Sequence, residues 1–158
     1  MATIKNQFVL ESGIESSVIA WFGASQFSHV DALLDDGTLL GSRSDSVGGK
    51  PPGVQIRPAN YAKFTRKVVM ALEVTDTQKA TYLAFLNSQI GKPYDMKTIL
   101  GFFVNRNWRQ GGAWICSELL AEGIEQSGVL KEFYVPDNKI TPGSWALAFS
   151  AMGGYVIK

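Results

Sequence analysis

Cys116 and His29 are the single cysteine and the single histidine of the chain. Brought together, these two side-chain types make a nucleophile and its base: the thiolate attacks, and the imidazole takes up and returns the proton. The same count excludes other chemistry. One cysteine gives no intramolecular disulfide framework. One Cys and one His do not make a zinc site of the usual kind, and no metal or other cofactor is expected. A carboxylate-only magnesium or calcium site stays open, but no EF-hand spacing is present. Asp35-Asp36-Gly37 reads as a turn instead. The glycine patterns of dinucleotide sites, P-loops and nucleophile elbows are missing.

The surroundings of Cys116 suit a nucleophile. Gly111-Gly112-Ala113-Trp114-Ile115 leads into Cys116-Ser117-Glu118-Leu119-Leu120, which opens a helix. A thiol there faces unpaired N–H groups and the positive end of the helix dipole, and both favour thiolate. The same N–H groups suit an oxyanion formed by attack. A plainer reading competes. Cys116, Leu119, Leu120, Gly123 and Ile124 form the inward stripe of an amphipathic helix, and free cysteine is often core. His29 begins a strand whose hairpin partner follows Asp36-Gly37. A two-residue loop sets His29 opposite Ser44 and Asp31 opposite Ser42; one residue's change in loop length puts Arg43 there. Ser42 and Ser44 are thus candidates to orient the imidazole, and the loop length decides.

The elements that must position these residues are legible along the chain. Ser12 caps a short helix over Ile14–Phe22. His29–Leu34 and Thr38–Arg43 form the hairpin, Ser44–Pro52 a loop, Gly53–Arg57 a short strand and Lys67–Val74 a longer one. Thr75 and Gln78 have capping-box spacing for a helix to about Gln89, with Ala80, Leu83, Leu86 and Ile90 inward and Gly91 ending it. Met96–Val104 is a further helix, Asn105–Gly112 a loop, and Cys116–Ser127 a helix stopped by Gly128. A last helix starts at Thr141-Pro142 and runs through Ala151, and Gly154–Ile157 forms an edge strand. Strands followed by several helices indicate an α+β fold with an antiparallel sheet and segregated helices, in one domain over 1–158.

Composition agrees with a packed domain. Apolar residues make up 46% and charged ones 18%, which excludes a disordered chain. The net charge of +1, with no basic stripe, argues against nucleic acid as a partner. No apolar run is long enough for a transmembrane segment. The first residues lack a basic start and an apolar stretch, so no signal peptide is expected.

The order of these pieces resembles a family. Ser28-His29-Val30 opens a strand, Gly53-Val54 follows the hairpin, then come Gly91-Lys92-Pro93-Tyr94-Asp95 and Trp114-Ile115-Cys116-Ser117-Glu118-Leu119. The set, over about Phe27 to Gly128, is similar to the circularly permuted NlpC-type papain-like group of cysteine hydrolases. That group includes the YiiX/YaeF-like proteins and relatives of lecithin retinol acyltransferase. Its histidine strand precedes its cysteine helix, as here. The resemblance implies a papain-like fold and a cysteine peptidase or amidase working through a thioester. Cys116 is then the nucleophile, His29 the base and Trp114 a cleft residue, while Tyr94 lines the cleft, supports the site, or is a packed aromatic with its hydroxyl satisfied. The group's third polar position falls on Gly41 or Ser42, a departure from its pattern. Leu39–Asp45 and Gly53–Pro58 look like phage-encoded members, which implies a cytoplasmic or phage-associated protein.

The expected partner is a peptide or acyl small-molecule substrate, with cell-wall peptides first by analogy. The alternatives are acyl transfer or thioester hydrolysis on a lipid acyl chain, and a non-catalytic binding or virion module. Phe102, Phe103 and Trp108 are candidates for an apolar wall, or for core. Arg106, Arg109 and Lys92 are candidates for carboxylate recognition, or for solvated loop positions. Gly48–Gly53 reads as a flap or as a passive surface loop.

Overall fold

The computed structural model describes residues 1–12, 26–103, 111–133 and 139–157. The expected helix over Ile14–Phe22 lies outside these residues, as do Arg106, Trp108, Arg109 and the side chains of Phe102 and Phe103.

Six antiparallel strands form one sheet: β1 (Ala2–Glu11), β2 (His29–Leu33), β3 (Leu39–Arg43), β4 (Gly53–Arg57), β5 (Phe64–Val74) and β6 (Tyr155–Ile157). They lie in the order β4-β3-β2-β1-β5-β6. Four described helices accompany them: α1 (Asp76–Ser88), α2 (Met96–Phe103), α3 (Cys116–Gln126) and α4 (Pro142–Ala151). The fold is thus α+β with an antiparallel sheet, as the order of elements indicates.

β1 was not foreseen, although it lies inside the sheet and pairs with both β2 and β5. Its alternation is hidden because Asn6 and Gln7 are buried beside Ile4 and Phe8. Asn6 is accommodated by hydrogen bonds: Trp145 Nε1 donates to Asn6 Oδ1 at 2.9 Å, and Asn6 Nδ2 reaches Tyr82 Oη at 3.3 Å. These bonds tie β1 to α4 and to α1 and satisfy the Asn6 amide.

Period two divides the strands between two faces. Ile4, Phe8, Val30, Ala32, Leu40, Val54, Met70 and Leu72 enter one apolar core with Leu119, Leu120 and Ile124 of α3, and with Trp145 and Phe149 of α4. His29 and Asp31 alternate with Val30 and Ala32.

α1 is capped as its sequence demands, with Thr75 Oγ1 accepting from Gln78 N and Gln78 Oε1 from Thr75 N. Its buried positions are Tyr82 and Leu86, followed by Gln89, so Ala80 and Ile90 face outward rather than inward. The large ring of Tyr82, which fits against Gly123 of α3, rotates the buried stripe. α4 has the same kind of cap, with Thr141 Oγ1 accepting from Ser144 N.

Candidate active site

The hairpin β2–β3 decides which residue meets the imidazole. Its loop has three residues: Leu34 N donates to Thr38 O at 2.9 Å, and Gly37, at φ +82°, bends the chain back with its N–H on Leu34 O. Gly37 takes the left-handed conformation that closes such a loop. The loop is one residue longer than Asp36-Gly37 alone, so Ala32 pairs with Leu40 and Leu33 with Leu39. Continuing that register sets Asp31 across from Gly41 and His29 across from Arg43.

Ser42 and Ser44, the residues expected beside the imidazole, are placed elsewhere. Ser42 alternates with Gly41 and Arg43, and its Oγ donates to Trp114 O at 2.7 Å. Ser44 lies beyond the end of β3 and is exposed. The histidine's partner comes instead from its own strand: His29 Nε2 and Asp31 Oδ1 are 2.8 Å apart. Residues i and i+2 of a strand share a face, and this is the signal that looking across the hairpin missed. Gly41 makes the room, since a Cβ there would stand 1.9 Å from Asp31 Oδ1.

Asp31 is buried and carries more than the imidazole. Tyr61 Oη donates to its other oxygen, Oδ2, at 2.7 Å. Arg43 Nη1 donates to Tyr61 Oη at 3.1 Å, and the guanidinium lies 4.9 Å from the centre of the Tyr61 ring. Arg43 is itself fixed by Glu11 and by Asp45, the latter through Nε at 2.7 Å and Nη2 at 3.0 Å. Burial opposes the Asp31 charge, but imidazole, phenol and guanidinium outweigh it and hold the carboxyl below its usual range. Burial also disfavours the imidazolium; Asp31 and then Cys116 reverse this and push His29 up to about 10.

Cys116 reaches this histidine from the other side of the fold. It is the first residue of α3, after Ile115 in extended conformation, and it lies near enough to His29 to favour the imidazolium charge. With Nε2 on Asp31, Nδ1 is the nitrogen left for the thiol. The approach to the helix is tightly held. Trp114 N donates to Pro93 O at 3.0 Å, while Trp114 O accepts from Asp95 N at 3.1 Å and from Ser42 Oγ. Asp95 also caps the start of α2 through Thr98 N and Thr98 Oγ1. The Trp114 ring donates to Gln89 Oε1 at 3.1 Å. Tyr94, half-buried, forms a parallel bridge with Trp114. Cys116 and His29 are 5% and 7% exposed, so the pair is shielded from bulk water.

The loop from Ser44 to Pro52 is clamped. Buried Arg57 donates to the carbonyls of Gly41, Val47, Pro51 and Gly53. Gly53, at φ +98°, lies against Lys92 O, where a Cβ would come within 2.3 Å. These bonds favour the passive-loop reading over a flap.

Comparisons with known proteins bear on the fold. No protein-family model and no curated protein matches the chain. Among solved structures it is similar to the metalloprotein YiiX from Escherichia coli O157:H7, DUF1105, with a TM-score of 0.58 and 20% identity. The match covers 79% of this chain and 65% of that one, so the chain spans under two thirds of its neighbour. At that identity the likeness is one of fold: this chain has a YiiX-like fold. That neighbour is by name a metalloprotein. Among the described residues here, no group of three or more His, Cys, Asp or Glu side chains is placed to hold a metal ion. Among the same residues, no helix is long and apolar enough to cross a membrane.

Proposed function

We propose that the protein is a cysteine hydrolase that cleaves an amide bond through a thioester, with Cys116 as nucleophile and His29 as base. One observation carries the reading: the only thiol, at a helix N-terminus, meets the only imidazole, whose far nitrogen is held by a buried carboxylate. Asp31 is a positioning residue and takes the place expected of a serine.

The steps follow from this arrangement. His29 holds the thiol proton as imidazolium, and Cys116 Sγ, as thiolate, bonds to the carbonyl carbon. The oxyanion faces the N–H groups that open α3, including that of Cys116. Collapse breaks the C–N bond, and the imidazolium protonates the leaving amine. Water then attacks the thioester, with His29 again the base. A peptide is the substrate proposed, and cell-wall peptides are the first to try, by analogy with related folds alone.

Alkylation of Cys116 by iodoacetamide across pH 5–9 tests the reading, in the parent and in His29→Ala. The expected parent rate at pH 6–7 exceeds that of the unfolded chain, and His29→Ala lowers it by about tenfold or more. A rate that follows a simple free thiol and ignores His29 overturns it. A panel of muropeptides against acyl esters then separates amide cleavage from acyl transfer.

A further inference from the structure

We infer that Tyr61, held by Arg43, is a positioning residue that acts on the thiol through Asp31 and His29; this rests on the reading of Cys116 and His29 given above. The argument is one of hydrogen-bond direction. A phenol has one proton to give. Arg43 Nη1 has no lone pair and donates to Tyr61 Oη, so the phenolic proton is directed to Asp31 Oδ2. Burial and the neighbouring Asp31 charge push the phenol well above its ordinary range, so it keeps that proton. Asp31 is therefore held at both oxygens, with Oδ2 on the phenol and Oδ1 on the imidazole.

The phenol is itself immobilised. Arg43 lies over its ring, Phe64 meets the ring edge-on at 5.4 Å, and a Cβ on Gly48 would stand 2.7 Å from Tyr61 Cβ. Arg43 in turn is forked between Glu11 at the end of β1 and Asp45 after β3. The result is a line of directed bonds from the sheet ends to the imidazole beside Cys116: Glu11 and Asp45, Arg43, Tyr61, Asp31, His29. The charged groups acting on the imidazole are Asp31, Cys116 and Asp45, and those acting on Asp31 besides His29 and Tyr61 are Arg43 and Arg57. Arg57 is committed to loop carbonyls, which leaves Tyr61 as the neutral donor that sets how the carboxylate is turned.

The test is a double-mutant cycle read by alkylation of Cys116 at pH 6–7. Tyr61→Phe keeps the ring and removes the donor. Loss of an outer group that orients a histidine typically costs about 10-fold or more, and a slowing of about that size is expected here. In Asp31→Asn the slowing is already present, and adding Tyr61→Phe is expected to slow the thiol no further, because both changes cut the same line. A merely structural tyrosine would give two effects that multiply. Tyr61→Phe alkylating at the parent rate, or a double variant slower by the product of the two, overturns the inference while leaving Cys116 and His29 as they stand. A parent thiol indifferent to His29→Ala overturns both. If Tyr61→Phe does not fold, Arg43→Lys poses the same question one bond further out. It is expected to slow the thiol in the same direction, with the effect absorbed by Asp31→Asn, and a multiplied effect overturns the inference.

Discussion

Asp31 keeps a charge where little water reaches it, and the consequences appear as pH changes. His29 is raised from 6.5 to about 10 by its partners against the pull of burial. Between those values the folded chain holds a proton that the unfolded chain has released. Raising the pH therefore favours unfolding. The contribution is complete below about 6.5 and is lost as pH climbs through about 10. Thermal melts of the parent and His29→Gln from pH 6 to 10 check this. The advantage of the parent is expected to shrink steadily over that window, and an advantage that grows with pH contradicts it. At this scale the sequence was informative about the two residues of the proposed pair, because each is a singleton in a telling context. It also carried the third: Asp31 stands two residues after His29 on a strand, and period two alone puts them on one face. The pairing across the hairpin obscured this, since it depends on a loop length that Asp35-Asp36-Gly37 leaves open by one residue.

Gly41 shows how an element enforces the site. Its backbone is not in the left-handed region, so its requirement is spatial: any side chain would occupy the place of Asp31 Oδ1. Asp31 cannot swing aside without releasing both His29 and Tyr61. Gly41→Ala is expected to cost about 1–3 kcal/mol in chemical denaturation and to uncouple Cys116 reactivity from His29. Thr75→Ala offers the contrast. It removes a helix cap at a cost of about 1 kcal/mol and is expected to leave the alkylation profile unchanged. If Gly41→Ala keeps the parent profile, the room it leaves for Asp31 is not what β3 supplies. Most elements were legible where punctuation is strong, as at Thr75, Gly128 and Thr141-Pro142. β1 was not, because Asn6 and Gln7 interrupt its apolar alternation, and Asn6 is explained by partners on α1 and α4 that no local pattern reveals.

Across the molecule, α3 joins the site to the core. Its first residue is Cys116, the proposed nucleophile, and Gly123 lies against the ring of Tyr82, where a Cβ would come within 2.9 Å. Alanine gains about 1 kcal/mol over glycine in a helix interior. Here overpacking outweighs that gain, because Tyr82 is 1% exposed and its hydroxyl is bonded to Asn6. Gly123→Ala is expected to lower the melting temperature, and a rise would mean that α1 and α3 can separate freely. The fold class was legible from the order of elements; the sheet order was not, since it follows from which edges β1 occupies. One further property comes from base and orienting carboxylate sharing a single strand. Had the carboxylate come from β3, every change at the hairpin tip would alter their separation. As it is, the tip at Asp35-Asp36-Gly37 is tethered to the rest of the described chain by the exposed ion pair of Asp35 with Lys79, a weak link. A segment spliced in there would leave His29 and Asp31 in step on their own strand, and Gly41, which faces Asp31 only through the hairpin register, is the residue whose place such a splice would put at stake.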